Sequence, residues 1–166
     1  MSEALKFHQV AYVVRDLDAA VRLWADQIGV GPWSIYTLQA PSLKNCYFRG
    51  ESVDFGLRHA LAWSGNVQFE LVEPLHGPSI FKEQLESTGE GLNHVGVVVQ
   101  DHPAAVADFI ARGFTPLQGA GGFGVEGDGF FAYFQPPDSS SIIVELISPP
   151  KVRAQPDYVY PSQEGK

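Results

Sequence analysis

The sequence predicts an α+β fold: two β-α-β-β-β modules set edge to edge in a curved mixed sheet that forms a cup, with helices on the outside. Three observations carry it. The first is an internal repeat. Phe7-His8-Gln9-Val10-Ala11-Tyr12-Val13-Val14-Arg15-Asp16 returns as Leu92-Asn93-His94-Val95-Gly96-Val97-Val98-Val99-Gln100-Asp101, each copy leading into an Ala-Ala-Val helix start. The second is period-two alternation of apolar residues in the segments that follow each helix. The third is punctuation by glycine and proline at regular intervals.

In chain order, residues 7–14 alternate as a strand, with Val10, Tyr12 and Val14 on one face and Gln9, Ala11 and Val13 on the other. Asp16 suits an N-cap for a helix with the stripe Leu17, Ala20, Val21, Trp24 and Ile28, closed by Gly29. A strand follows around Ser34–Leu38, and residues 41–50 read as a loop with a short extended piece containing Cys46. A hairpin then runs out along Val53, Phe55, Leu57 and Leu61, turns at Ser64-Gly65-Asn66, and returns along Val67–Val72 until Pro74 ends it. On the return strand, Gln68, Glu70 and Val72 share a face. The first module spans 7–75, and a linker helix capped by Ser79 lies within 76–91.

The second module, 92–149, repeats the plan: strand 93–99, helix about 103–112 ended by Gly113, strand 114–118, aromatic strand Phe130–Phe134 and final strand Ile142–Ile147. Glycines 119–129 between two of its strands read as a mobile lid over the cup. They formally spell G-x-G-x-x-G from Gly119 to Gly124 but lead into a strand, so the dinucleotide-binding context is missing. Residues 150–166 are polar and read as a tail that frays or wraps a partner. The whole of 1–166 makes a single domain.

Composition narrows the function. With 45% hydrophobic and 18% charged residues, the 166-residue chain can bury a normal core. A net charge of -8 disfavours nucleic acid and membrane surfaces as partners. The single cysteine, without an activating neighbour, suits an inert thiol in a reducing cytoplasm, and Met1–Lys6 lacks an apolar signal core. A soluble, cytoplasmic protein is the expectation.

Glu70-Leu71-Val72-Glu73-Pro74-Leu75, the Ser79 helix, Gly91-Leu92-Asn93-His94, and Pro136 followed nine positions later by Glu145-Leu146 stand in a familiar order. From about Phe7 to Pro149 the chain resembles the vicinal-oxygen-chelate superfamily, which includes glyoxalase I, methylmalonyl-CoA epimerase, extradiol dioxygenases and bleomycin-resistance proteins. The motifs are most similar to the epimerase-like and glyoxalase I-like branch. The resemblance implies metal ligands on the first and last strands of each module, which here fall on Gln9, Glu70, His94 and Glu145. Each is a polar interruption in an apolar strand. Taken singly, Gln9 and the two glutamates would be solvent-facing strand residues and His94 a structural histidine. Their equivalent positions in the repeat reverse that reading. Carboxylates on a buried sheet face are costly without a cation, and this donor set suits one divalent ion of the Zn, Co, Ni, Mn, Mg or Fe kind.

The first ligand departs from the histidine of many relatives, and a Gln/Glu/His/Glu set resembles the eukaryotic-type glyoxalase I. His8 could replace Gln9 only through a register slip that turns the strand over. Extradiol chemistry, which needs Fe(II) on two histidines and a carboxylate, is the weaker reading with one placed histidine. The resemblance therefore implies an isomerase, epimerase or lyase that moves a proton at the carbon next to a carbonyl, through a metal-stabilised enediolate or enolate. Glu145 is the expected ligand and base, with Glu70 its symmetry mate: two bases allow epimerisation, one allows isomerisation. Asp54 is a further catalytic candidate, and Arg58, Tyr133 and Gln135 are candidates for substrate binding. His59, His76 and His102 are assigned no chemistry. The expected partner is a small carbonyl compound such as an acyl-CoA or another thioester, in a homodimer by family habit. The alternative is a non-catalytic binder holding a planar ligand between aromatic walls (Trp33, Tyr47, Phe48, Phe123, Phe131, Tyr133), although such binders usually lack the ligand quartet.

Overall fold

The computed structural model describes residues 5–138 and 142–162. The first module begins with β1 (Phe7–Val13) and α1 (Leu17–Arg22), continued by a wider π-helical turn over Leu23–Ile28. It goes on through β2 (Trp33–Leu38), β3 (Lys44–Phe48), β4 (Glu51–Ser52), β5 (Gly56–Ser64) and β6 (Val67–His76). After α2 (Ile80–Ser87) come β7 (Gly91–Val98), α3 (His102–Ala111), β8 (Thr115–Phe123), β9 (Gly129–Gln135), β10 (Ile143–Ser148) and β11 (Tyr158–Tyr160). The strands join in one open mixed sheet, ordered β11-β2-β5-β6-β1-β7-β10-β9-β8-β3-β4.

Local chemistry sets the helix starts. Asp16, Ser79 and Asp101 each accept from the backbone N–H three residues on, satisfying an orphan donor of α1, α2 and α3. The winding at the end of α1 changes one expectation. Gly29 N–H donates to the Trp24 carbonyl, five residues back, and this wider turn swings Ile28 off the buried stripe, leaving it 55% exposed.

Apolar side chains fill both faces. On the convex face, Leu17 and Val21 of α1 pack on Trp33, Ile35, Ala60 and Leu71, and Phe109 of α3 packs on Phe134, Val144 and Leu146. Inside the cup, Leu43, Phe55, Ile80, Phe81, Leu117 and Phe131 form a third cluster. The β3–β4 segment and α2 thus plug one half of the hollow with the chain's own side chains.

Three further expectations are corrected. Pro74 does not end β6, which runs to His76; β1 has left the ladder after the Val13–Val72 pair, so the proline sits where β6 has one strand neighbour and its missing N–H costs little. Gly119 to Phe123 are part of β8 rather than a lid. A Cβ on Gly119 would lie 2.7 Å from the Tyr47 ring, so the glycine lets β3 lie flat against β8. The tail does not fray as far as it is described: β11 pairs antiparallel with β2, Tyr158 opposite Ile35 and Tyr160 opposite Trp33, while residues 163–166 fall outside the described residues.

Candidate metal centre

Register builds the centre. Across the neighbouring strands β6, β1, β7 and β10, Gln68, Gln9, Gly96 and Glu145 stand in one row. Two residues along, on the same face, Glu70, Ala11, His94 and Ile143 stand in the next. A pseudo-twofold between β1 and β7 therefore exchanges Gln9 with His94, Glu70 with Glu145, and Ala11 with Gly96. The two central positions are small for a reason. A Cβ on Gly96 would lie 2.6 Å from Gln9 Oε1, so only glycine leaves room for that amide.

Glu70, His94 and Glu145 offer ligand atoms that all lie within 4.8 Å of one another. His94 Nε2 is 3.2 Å from Glu70 Oε2 and 3.1 Å from Glu145 Oε2. All three residues and Gln9 are buried. Gln9 Oε1, Glu70 Oε2, His94 Nε2 and Glu145 Oε2 each lack a hydrogen-bond partner. Buried polar atoms are rarely left so. Two carboxylate oxygens and an imidazole nitrogen grouped together, with the amide oxygen of Gln9 on the pocket that the two glutamates line, are a donor set that fits a divalent cation.

The other atoms of these side chains are tied down. His94 Nδ1 donates to Asn93 Oδ1 at 2.8 Å, Asn93 Nδ2 to Gln84 Oε1 at 2.9 Å, and Gln84 Nε2 to the Gly89 carbonyl, so α2 fixes the imidazole's tautomer and leaves Nε2 for the cavity. Gln9 Nε2 donates to Gln68 Oε1 at 3.0 Å, aiming Gln9 Oε1 the other way. His59 Nδ1 meets Glu70 Oε1 at 2.6 Å.

These contacts separate the two glutamates. Burial pushes the Glu70 carboxyl up, but the hydrogen bond from His59 and the charge of the neighbouring His94 overcome it and bring it down to about 2. Glu145 lacks a His59, and burial raises its carboxyl despite the charge of His94. Burial alone would lower His94, yet the charges of Glu145 and Glu70 lift it to about 9. Tyr133, buried with its ring 4.9 Å from that of His94 and its hydroxyl bonded to Glu145, is also pushed up, first by burial.

The profile of the Glyoxalase/Bleomycin resistance protein/Dioxygenase superfamily matches residues 8–134. The chain belongs to that superfamily. No curated protein matches it. Among solved structures, this superfamily member is similar to methylmalonyl-CoA epimerase from Mycobacterium tuberculosis, with TM-score 0.62 and 20% identity over 90% of this chain and 92% of that one. A variant of Streptomyces coelicolor methylmalonyl-CoA epimerase, in complex with 2-nitronate-propionyl-CoA, gives TM-score 0.66 and 20% identity over 91% and 99%. A variant of 4-hydroxymandelate synthase from Streptomyces coelicolor gives 0.61 and 17%, over 98% of this chain and 43% of that one. At these identities the likeness is one of fold.

The superfamily member's cup keeps a pocket, open to solvent, in the half that α2 does not fill. Gln9, Gln68, Glu70, Tyr133 and Glu145 line it, with His59, Leu61 and Phe131. Two candidates named from the sequence lie elsewhere. Asp54 is on the surface, 3.6 Å from His76 Nε2. Arg58 points to the convex face, where it holds Asp18 at 2.9 Å and Glu73 at 3.5 Å. The physical reason is strand parity: on β5 the concave face carries Leu57, His59 and Leu61, and Arg58 must face the other way. Gln135, opposite Thr115 at the end of β9, is not among the residues lining the pocket.

Sequence reasoning missed His59, Gln68 and Asn93. His59 shares its parity with Leu57 and Leu61, but nothing in the alternation of β5 marks that face as the concave one. His8 also reaches the pocket, through a register shift between Phe7 and Gln9 that leaves Gln9 aligned.

Proposed function

We propose that this chain is a divalent-metal-dependent isomerase, epimerase or lyase that transfers a proton at the carbon next to a carbonyl, on a small substrate such as an acyl thioester. The single observation that supports it is the set of four buried polar atoms without a hydrogen-bond partner: those of Gln9, Glu70 and Glu145, which line one pocket, and His94 Nε2 directly behind the two carboxylates. These residues would hold the cation, with Asn93 and Gln68 orienting two of them. A bound divalent cation supplies positive charge against which a carbonyl oxygen can become an enolate oxygen.

The residues divide the remaining work. Glu70, pinned by His59 and held strongly acidic, stays an anion and serves as an anchor. Glu145, raised by burial, is poised nearer neutrality and takes and returns the proton. The Tyr133 hydroxyl steadies it. Phe131 and Leu61 keep that end of the pocket apolar, which strengthens every charge interaction there. A homodimer completes the reading as the superfamily resemblance implies it, in the reducing cytoplasm that the single cysteine suits.

The test is elemental analysis of the purified chain, then solvent deuterium exchange into methylmalonyl-CoA and other acyl-CoAs. Wild type should bind one metal and exchange the α-proton. Glu145→Gln should slow exchange by roughly 10²–10⁴-fold. A metal-bearing chain that exchanges nothing would leave the non-catalytic binder, for which Phe123, Phe131 and Tyr133 on the pocket wall speak.

A further inference from the structure

The C-terminal segment crosses the mouth of the pocket as a strap held at both ends. At its start, Pro149 and Pro150 line the pocket. Val125 N–H donates to the Val152 carbonyl at 2.9 Å, and the Lys151 N–H reaches Asp128 at 3.3 Å, tying the segment to the turn between β8 and β9. At its far end Asp157 N–H donates to the Ile35 carbonyl at 2.8 Å and Thr37 Oγ1 to Asp157 Oδ2 at 2.7 Å. Beyond that β11 joins β2, with the Tyr158 hydroxyl on Asp18 and the Tyr160 hydroxyl on Asp26. Between the two anchors stand Arg153, Ala154, Gln155 and Pro156.

Arg153 lines the pocket and also a neighbouring hollow with Ser34, Tyr36, Leu61, Trp63 and Gln68. Leu61 and Gln68 line both as well, so the two hollows form one groove along β5 and β2 with Arg153 above its middle. It is the only lysine or arginine among the described residues lining that groove, and no described carboxylate lies within ion-pair distance of it. Arg15, Arg49, Arg58 and Arg112 are all engaged by protein oxygens. A guanidinium kept unpaired over a groove, in a chain of net charge -8, is placed for an anion from outside.

Charge accounting at the centre agrees. Two glutamates already balance a divalent cation, so an anionic substrate gains no net attraction there. Among the described residues, the lysine or arginine charge it can meet at the mouth is that of Arg153. We infer that Arg153, carried across the pocket by the C-terminal strap, binds an anionic group of the substrate, a carboxylate or a phosphate, and makes this centre selective for anionic carbonyl compounds. The inference rests on the proposed function for the identity of the reacting end.

Three thioester probes test it on the full-length, metal-loaded chain by calorimetric titration: propionyl-pantetheine, which is neutral; methylmalonyl-pantetheine, which adds a carboxylate; and propionyl-CoA, which adds phosphates. Wild type should bind at least one anionic probe roughly tenfold or more tighter than the neutral one. Arg153→Ala should erase that preference while leaving the neutral probe, the metal content and the melting temperature unchanged, and Arg153→Lys should restore part of it. Which probe loses affinity tells carboxylate from phosphate. Equal affinities in wild type and Arg153→Ala for every probe, or no binding of any probe at millimolar concentration, would overturn the inference. An Arg153-dependent preference in a chain that binds no metal would keep the anion site and sink the proposed function. Metal with α-proton exchange but without Arg153 dependence would do the reverse.

Discussion

Glu70 and Glu145 are symmetry mates with opposite electrostatic fates, and one hydrogen bond from His59 accounts for most of the difference. His94 between them carries a testable pH signature. Its folded-state value of about 9 lies above the ordinary 6.5, so protonation stabilises the metal-free fold fully below about 6.5, and that contribution is lost as pH rises through about 9. The melting temperature of chelator-treated protein should therefore fall between pH 7 and 9. A cation must displace the same proton, so apparent metal affinity should climb about tenfold per pH unit across neutrality, measured by competition with a chromogenic chelator. Gly96→Ala places its new carbon against Gln9 Oε1 and should weaken metal binding by about tenfold with little change in fold. The quartet was legible because the repeat puts its members at matching positions. His59 was not, because β5 is apolar on both faces, between α1 and the cup, and alternation alone does not say which is concave.

At the level of elements, β1, β6, β7 and β10 could be read with their faces, since each carries a polar interruption among apolar neighbours. The glycines of β8 looked like a loop because the purpose of Gly119, room for Tyr47, lies on a strand about 70 residues away in sequence. The π-wound end of α1 escaped for a related reason: the 3.6-residue period was assumed where the chain departs from it. Arg58 belongs to this scale as well. With Asp18, Glu73 and Tyr158 it clamps α1, β6 and β11 together on the convex face. Arg58→Ala should lower unfolding free energy by about 1 kcal/mol in chemical denaturation and leave metal content and exchange kinetics untouched. A loss of substrate affinity instead would return Arg58 to the pocket.

For the whole molecule, a cation gripping four strands should tie both modules into one unfolding unit. Stripping the metal should cost about 2.7 kcal/mol at a hundredfold excess over Kd, a drop of roughly 5–10 °C by scanning calorimetry. Among the described residues no helix is long and apolar enough to cross a membrane. The sheet order has one more consequence. The hairpin β3–β4 leaves the amino-terminal half to lie on β8, while β11 leaves the carboxy-terminal half to lie on β2. Each half is clasped by a limb of the other, so a polypeptide severed near Gly89 would yield fragments that are incomplete apart and whole only when co-expressed.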